Sequence, residues 1–374
     1  MRSFFLLLSF AILSVSCLFL SCNKDKKTGD NNNNTNGFDK TAMLTQYADQ
    51  LIIPGYQKMQ EQVSALQTAS EAFISTPSAT TQNELKTAFT AAYLQYQRVA
   101  AFQFGPAETA LLDAYVNYSG GLDYNFNTDG ELTGFSVDTA TIEANISSGS
   151  YTLTEPTRKT FYAQGFPALG YLYFGDNAVT RLDSKRAAYI RSLTDRLKAL
   201  TDKVSGDWNA YRSTFISNTQ TNVGSPIGNL VNQLAYQMDI LKGPRIGWPF
   251  GKQSNGVVFA TKCEGYYAGI SVALAVENLS SLRKLYTAGN SGKGLSDYLV
   301  ALNQGTLNSD VLSQFDAAIG KLSAIPDPLS QSLTTQTAAV DAAYKEIQKL
   351  LTLLKTDVAS ATAVQITFMD NDGD

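Results

Sequence analysis

The chain of 374 residues contains no histidine. That absence removes Ser-His-Asp and Cys-His nucleophile systems, paired-histidine zinc sites and imidazole-ligated haem. Cysteine is scarce, with Cys17, Cys22 and Cys263 the only three. There is no excess of basic charge: 29 Lys and Arg face 33 Asp and Glu, a net charge of −4 with a pI near 5.1. This argues against a nucleic-acid partner. Phosphate-loop signatures are missing too. Gly289-Asn290-Ser291-Gly292-Lys293-Gly294 has no Ser or Thr after Lys293 and no strand before it, so it reads as a loop between helices. Asp370-Asn371-Asp372-Gly373-Asp374 has the composition of a calcium loop but ends without the downstream glutamate, which makes it an acidic tail. What remains is a globular composition, 44% apolar and 17% charged, with 19 tyrosines. Any chemistry has to run on carboxylates, tyrosines, lysines or backbone, and oxygen-ligand binding of a hard cation stays open.

The N-terminus is organised for export. Arg2 gives a short positive start, Phe4 to Leu20 is an apolar run broken by small serines, and Ser21 precedes Cys22. Phe19-Leu20-Ser21-Cys22 resembles a bacterial lipobox, in which the cysteine is lipidated and becomes the first residue of the mature chain. The alternative is an uncleaved N-terminal membrane helix. Asn23 to Gly37 has no apolar residue and suits a disordered tether. The expected division is a signal over 1–21, a tether over 22–38, an N-terminal helical subdomain over 39–180 and a C-terminal one over 181–374. Cys22 would anchor the chain in the outer membrane, facing the periplasm or the cell surface. With Cys17 removed and Cys22 lipidated, Cys263 has no disulfide partner and reads as core filler.

The dominant period is helical, predicting an all-α fold of two bundle-like halves with a long irregular loop around 120–155. Thr81-Gln82-Asn83-Glu84 has the form of a capping box. Leu85, Phe89, Tyr93, Tyr96 and Ala100 follow it at helical spacing. Pro54 is expected to kink or break the helix before it, and Ser225-Pro226 to open another. Further helices are expected over 157–174, 183–204, 264–286, 309–323 and 329–361. Five carboxylates fall within otherwise apolar stretches: Glu108, Asp113, Asp239, Glu264 and Glu277. Glu108 and Glu264, beside aromatic and glycine-rich segments, are the candidate ligand-binding acids, with Tyr266 beside them. An exposed helix face is the bland alternative for each.

Several segments together resemble the imelysin family of exported, mostly helical bacterial proteins. They are Ile53-Pro54-Gly55-Tyr56, the run Ala101-Phe102-Gln103-Phe104-Gly105-Pro106, and Gln164-Gly165-Phe166-Pro167-Ala168-Leu169-Gly170-Tyr171-Leu172. Later come Ile246-Gly247-Trp248-Pro249-Phe250-Gly251, Glu264-Gly265-Tyr266-Tyr267 and Ile366-Thr367-Phe368. The resemblance implies a site near the interface of two helical halves and the signature Gly-x-His-x-x-Glu, a pair of potential metal ligands. Here Gly165 is kept, but Pro167 stands at the histidine position and Gly170 at the glutamate position. Pro167 and Gly170 are poor helix-interior residues, so this helix should start near Phe166, with Pro167 in its first turn. The expectation is a lipid-anchored, non-catalytic envelope binding protein, linked to uptake of iron or another nutrient, with an envelope transport partner. The alternatives are a metallopeptidase with a non-histidine site and a surface interaction protein.

Overall fold

Apolar residues spaced three and four apart form a stripe on one side of a helix, and burying that stripe drives helices together. The structure, a computed structural model, describes residues 37–120 and 134–368. The expected signal with Cys22, all but the end of the tether, and the acidic tail lie outside the described residues. So does part of the 120–155 loop. Among the described residues every regular element is helical and there is no strand.

The first group comprises α1 (Lys40–Tyr47), α2 (Ile53–Ser75), α3 (Ala79–Val99), α4 (Pro106–Thr109), α5 (Leu112–Val116) and α6 (Thr139–Ser148). It continues through α7 (Arg158–Phe161), α8 (Gly165–Phe174) and α9 (Ser184–Ser217). The second comprises α10 (Pro226–Ile240), α11 (Ser271–Thr287), α12 (Leu295–Ala301), α13 (Gly305–Ser323), α14 (Leu329–Thr335), α15 (Thr337–Thr352) and α16 (Ala359–Ala361). In the first group α2 lies between α3 and α9; in the second α13 packs between α11 and α15. The two meet where α11 packs on α3, and the described residues form one compact unit. Because α9 packs along α2, helices that share a core do not part at residue 180. The change-over falls in the turn between Ser217 and Pro226.

Local chemistry explains where the elements depart from the expected ones. Pro54 does not break its helix. The preceding turn, Ala48–Ile52, widens into a π-helix, and the chain runs on through Pro54 in the first turn of α2. The capping box forms three residues earlier than expected. Ser78 accepts from the Thr81 amide at 3.2 Å and Thr81 Oγ1 accepts from the Ser78 amide at 3.1 Å. The single helix expected over 157–174 is two, interrupted by Gly165 in the left-handed region at φ +71°. α9 runs 34 residues, past Val204 to Ser217, because Trp208 and Phe215 extend its buried stripe. The helix expected from Glu264 starts only at Ser271, after positive-φ turns at Gly265 and Gly269. No described helix is long and apolar enough to cross a membrane.

Candidate functional site

Residues 93, 96 and 97 share one side of α3 by the 3.6-residue period. Tyr93, Tyr96 and Gln97 are all buried there. Opposite them a second π-turn, Leu241–Gly247, contains Pro244 and turns Arg245 inward until it is 3% exposed. The left-handed turn at Gly265 presents Glu264, 2% exposed, to that arginine. Asp113 and Asn117 come from α5 and its C-terminus.

These side chains form one network. Arg245 Nε donates to Glu264 Oε2 at 2.6 Å, and Arg245 Nη2 donates to Gln97 Oε1 at 3.0 Å. Glu264 Oε1 accepts from Gln97 Nε2 and from Asn117 Nδ2, both at 2.7 Å. The Tyr93 hydroxyl donates to Asn117 Oδ1 at 2.5 Å, and the Tyr96 hydroxyl donates to Asp113. The Arg245 guanidinium also lies over the Phe135 ring, 5.6 Å from its centroid. A buried ion pair is favoured when its remaining polar atoms are satisfied. Here Gln97 and Asn117 engage Glu264 Oε1 and Gln97 also accepts from Arg245 Nη2, while Arg245 Nη1 stays buried with no hydrogen-bond partner.

Ionisation is suppressed around the pair. Burial first, then the negative charges of Glu264 and Asp113, hold the Tyr93 and Tyr96 hydroxyls well above the usual phenol range. Burial also pushes the Asp113 carboxyl up, against the hydrogen bond from Tyr96 and the charge of Arg245, which lower it. Asp113 lines a crevice and is partly accessible there.

The degenerate signature lies on α8, beside this network. Gly165 fits only without a side chain, since a Cβ there would stand 2.2 Å from the Val116 carbonyl oxygen. Phe166 stacks on Tyr93 at 4.4 Å. Pro167 and Gly170 face Tyr266, Tyr267, Phe89 and Cys263 across a tight crevice of about 10 Å³ free volume, room for about one water. Burial drives the Cys263 thiol and the Tyr267 hydroxyl each up to about 12, so both are neutral at physiological pH. Neither Cys263 nor Tyr267 is therefore an anionic nucleophile there.

The three predicted ligand residues are not brought to one point. Glu264 is enclosed in the network with both oxygens engaged. Tyr266, two residues on, lines the signature crevice. Glu108 is exposed and lines a different crevice with Asp113, Gln103 and Gln233. Of the other carboxylates in apolar stretches, Asp239 lies 3.5 Å from Lys355 and Glu277 pairs with Arg98. The residues do not fit the metal pair that the signature implies. Pro167 and Gly170 offer no side-chain donor, and Glu264 already neutralises a guanidinium. No group of three or more Cys, Asp or Glu among the described residues could hold a metal ion. Sequence reasoning missed Arg245, Gln97 and Asn117. The available signal was polar side chains on faces otherwise apolar: Gln97 four residues after Tyr93, and Arg245 within Gly243-Pro244-Arg245-Ile246-Gly247.

Comparison with known proteins agrees with this architecture. The imelysin family profile matches residues 52–356. A crystal structure from Parabacteroides distasonis, provisionally described as an iron-regulated protein A precursor, superposes with a TM-score of 0.71 at 18% identity. It covers 86% of this chain and 94% of that one. An imelysin-like protein from Psychrobacter arcticum gives a TM-score of 0.70 at 19% identity, covering 88% of this chain and 97% of that one. No curated protein matches the sequence.

Proposed function

The chain belongs to the imelysin family, and from that premise we propose that it is a lipid-anchored, non-catalytic binding protein of the cell envelope, serving an iron-related or other nutrient route. The observation that carries the non-catalytic part is the signature crevice. It has Pro167 and Gly170 where the family's ligands would stand, a thiol and a phenol held neutral, and volume for about one water. Hydrolysis of a peptide bond needs a polarising group and an activated nucleophile within reach of one carbonyl, and this surface supplies neither. Anchoring is supported by Phe19-Leu20-Ser21-Cys22 and the polar run after it. The iron-related part is supported by the family fold and by the description of the Parabacteroides relative.

Two measurements on the full-length chain test the reading. Incubation with a denatured protein substrate is expected to release no peptides above background; release that a chelator abolishes refutes the non-catalytic role. In cell fractionation the chain should stay with the outer membrane and Cys22→Ala should leave it. An unchanged distribution of that variant refutes the lipid anchor.

A further inference from the structure

The network uses only one side of α3. On the other side, Gln95 and Arg98 face a groove of about 390 Å³ between α2, α3 and α11, a volume ordinary for a small-molecule site. Three helices contribute matching faces. Gln50, Pro54 and Lys58 stand four apart beside the first π-turn, and Glu277, Ser280, Ser281 and Lys284 recur at three and four residues along α11. The π-turn matters because such irregular turns concentrate at functional sites.

The groove is cationic in a chain whose net charge is −4. Lys58, Arg98 and Lys284 line it against one carboxylate, Glu277, an excess of 3 − 1 = 2 positive charges. Arg98 is held in place. Its Nε donates to Glu277 Oε1 at 2.7 Å, and its Nη1 donates to Gln95 Oε1 at 3.1 Å. Gln95 Nε2 in turn donates to the Gly55 carbonyl at 2.9 Å. Gly55 keeps α2 and α3 close, since a Cβ there would stand 2.9 Å from Val99 Cγ1. Lys58 shares its charge with Glu61, outside the lining, at 2.6 Å. Among the described residues Lys284 has no carboxylate within 4 Å, and its side chain is exposed.

We propose that this groove binds a small phosphate-bearing ligand. Lys58 on α2 and Lys284 on α11 supply point charges, Arg98 on α3 a third, and Ser280 and Ser281 hydroxyl donors. The assignment names a ligand class for the binding role proposed above but stands on the groove's own geometry, so it can fail while that role survives.

The test is calorimetric titration of the full-length chain with pyrophosphate at low ionic strength, with citrate and phosphatidylglycerol vesicles as parallel probes. One pyrophosphate per chain is expected. Lys58→Ala and Lys284→Ala, both on exposed side chains, should each weaken binding about tenfold, close to 1.4 kcal/mol. Glu277→Gln should tighten it several-fold, an effect that simple loss of structure would not produce. Citrate should bind more weakly than pyrophosphate; tighter citrate binding overturns the phosphate assignment. Vesicle binding that Lys284→Ala abolishes, with pyrophosphate silent, would place the phosphate on a lipid headgroup and overturn the small-ligand form. Absence of any binding below about 10 mM, or binding unchanged by Lys284→Ala, refutes the site.

Discussion

Glu264→Gln tests whether the buried network is a structural cross-link or a poised ligand site. Glu264 is 2% exposed and Arg245 3%, so neither charge is relieved by water. The carboxylate accepts three hydrogen bonds, one from the guanidinium and two from amides. In the variant, either the amide oxygen turns toward Gln97 and Asn117 and the new NH2 opposes Arg245 Nε–H, or the reverse. Both arrangements set donor against donor and leave the guanidinium without its counter-charge. Removing one partner of a buried pair costs about 3–5 kcal/mol. Arg245→Met should cost a similar amount by stranding the carboxylate. The double variant removes both charges, so its loss should fall short of the sum of the singles by about 2 kcal/mol or more. Urea unfolding followed by the fluorescence of Trp208 and Trp248, the chain's two tryptophans, measures all three. A Glu264→Gln loss below about 1 kcal/mol, with strictly additive doubles, would refute the cross-link and return Glu264 to the list of free ligands.

Four further outcomes follow from the same geometry. Gly165→Ala forces a Cβ to 2.2 Å from a backbone oxygen at φ +71°, and should cost more than about 3 kcal/mol. Gly206→Ala within α9 has nothing within 4 Å of its new Cβ and should stabilise by about 0.4–1 kcal/mol in the same urea assay. Asp113→Asn should gain stability relative to the parent as pH rises. With a folded pKa above the ordinary 3.8, native Asp113 holds its proton where the unfolded chain has lost it, so the parent loses stability from about pH 4 upward until the folded group has ionised. Unfolding midpoints of both proteins between pH 3.5 and 8 report this, and parallel curves would refute it. Finally, Pro167→His with Gly170→Glu restores the family's ligand pair. The Cβ at 170 meets only ordinary contacts, Phe89 Cζ at 3.6 Å and Tyr267 Cβ at 3.8 Å. The double variant should bind zinc by calorimetry where the parent does not; equal behaviour would refute the view that these two positions alone decide metal binding.

The existence of the helices was legible because a 3.6-residue apolar stripe is a local signal, and their boundaries were less so because caps compete. Thr81-Gln82-Asn83-Glu84 satisfies the capping pattern, yet Ser78 wins. Ser78 sits in extended backbone at φ −158° and its side chain accepts from the Thr81 amide before α3 begins. Pro54 was overread for a related reason: a proline removes one donor, but a π-turn ahead of it absorbs the defect without ending the helix. The candidate acids were legible only as a group. Glu264 and Asp113 do fall in the same buried region, yet what makes Glu264 unavailable is Arg245, 19 residues back, and Gln97, 167 residues away. Sequence spacing has no access to such a pairing, whereas the four residues between Pro54 and Lys58, or between Ser280 and Lys284, give the groove's faces directly.

The absence of histidine acquires a physical meaning at α8. The α8 helix is fixed by contacts that need no ion. Pro167 is the third residue of α8, where its missing N–H is one of the four that no helix can pair internally. Gly165 seats the start of α8 against the Val116 carbonyl, Phe166 stacks on Tyr93, and Phe89 meets Phe166, Tyr173 and Phe174 edge-on. Each aromatic pair adds about 0.5–1.5 kcal/mol beyond its burial. Arg245 brings a permanent positive charge into the core and joins the second π-turn to α3 and to the turn at Glu264. A guanidinium cannot be chelated away or exchanged for another ion, so the packing around α8 should be indifferent to metal supply. The binding proposed for the groove beside the first π-turn, where Lys284 has no carboxylate within 4 Å among the described residues, is then independent of α8.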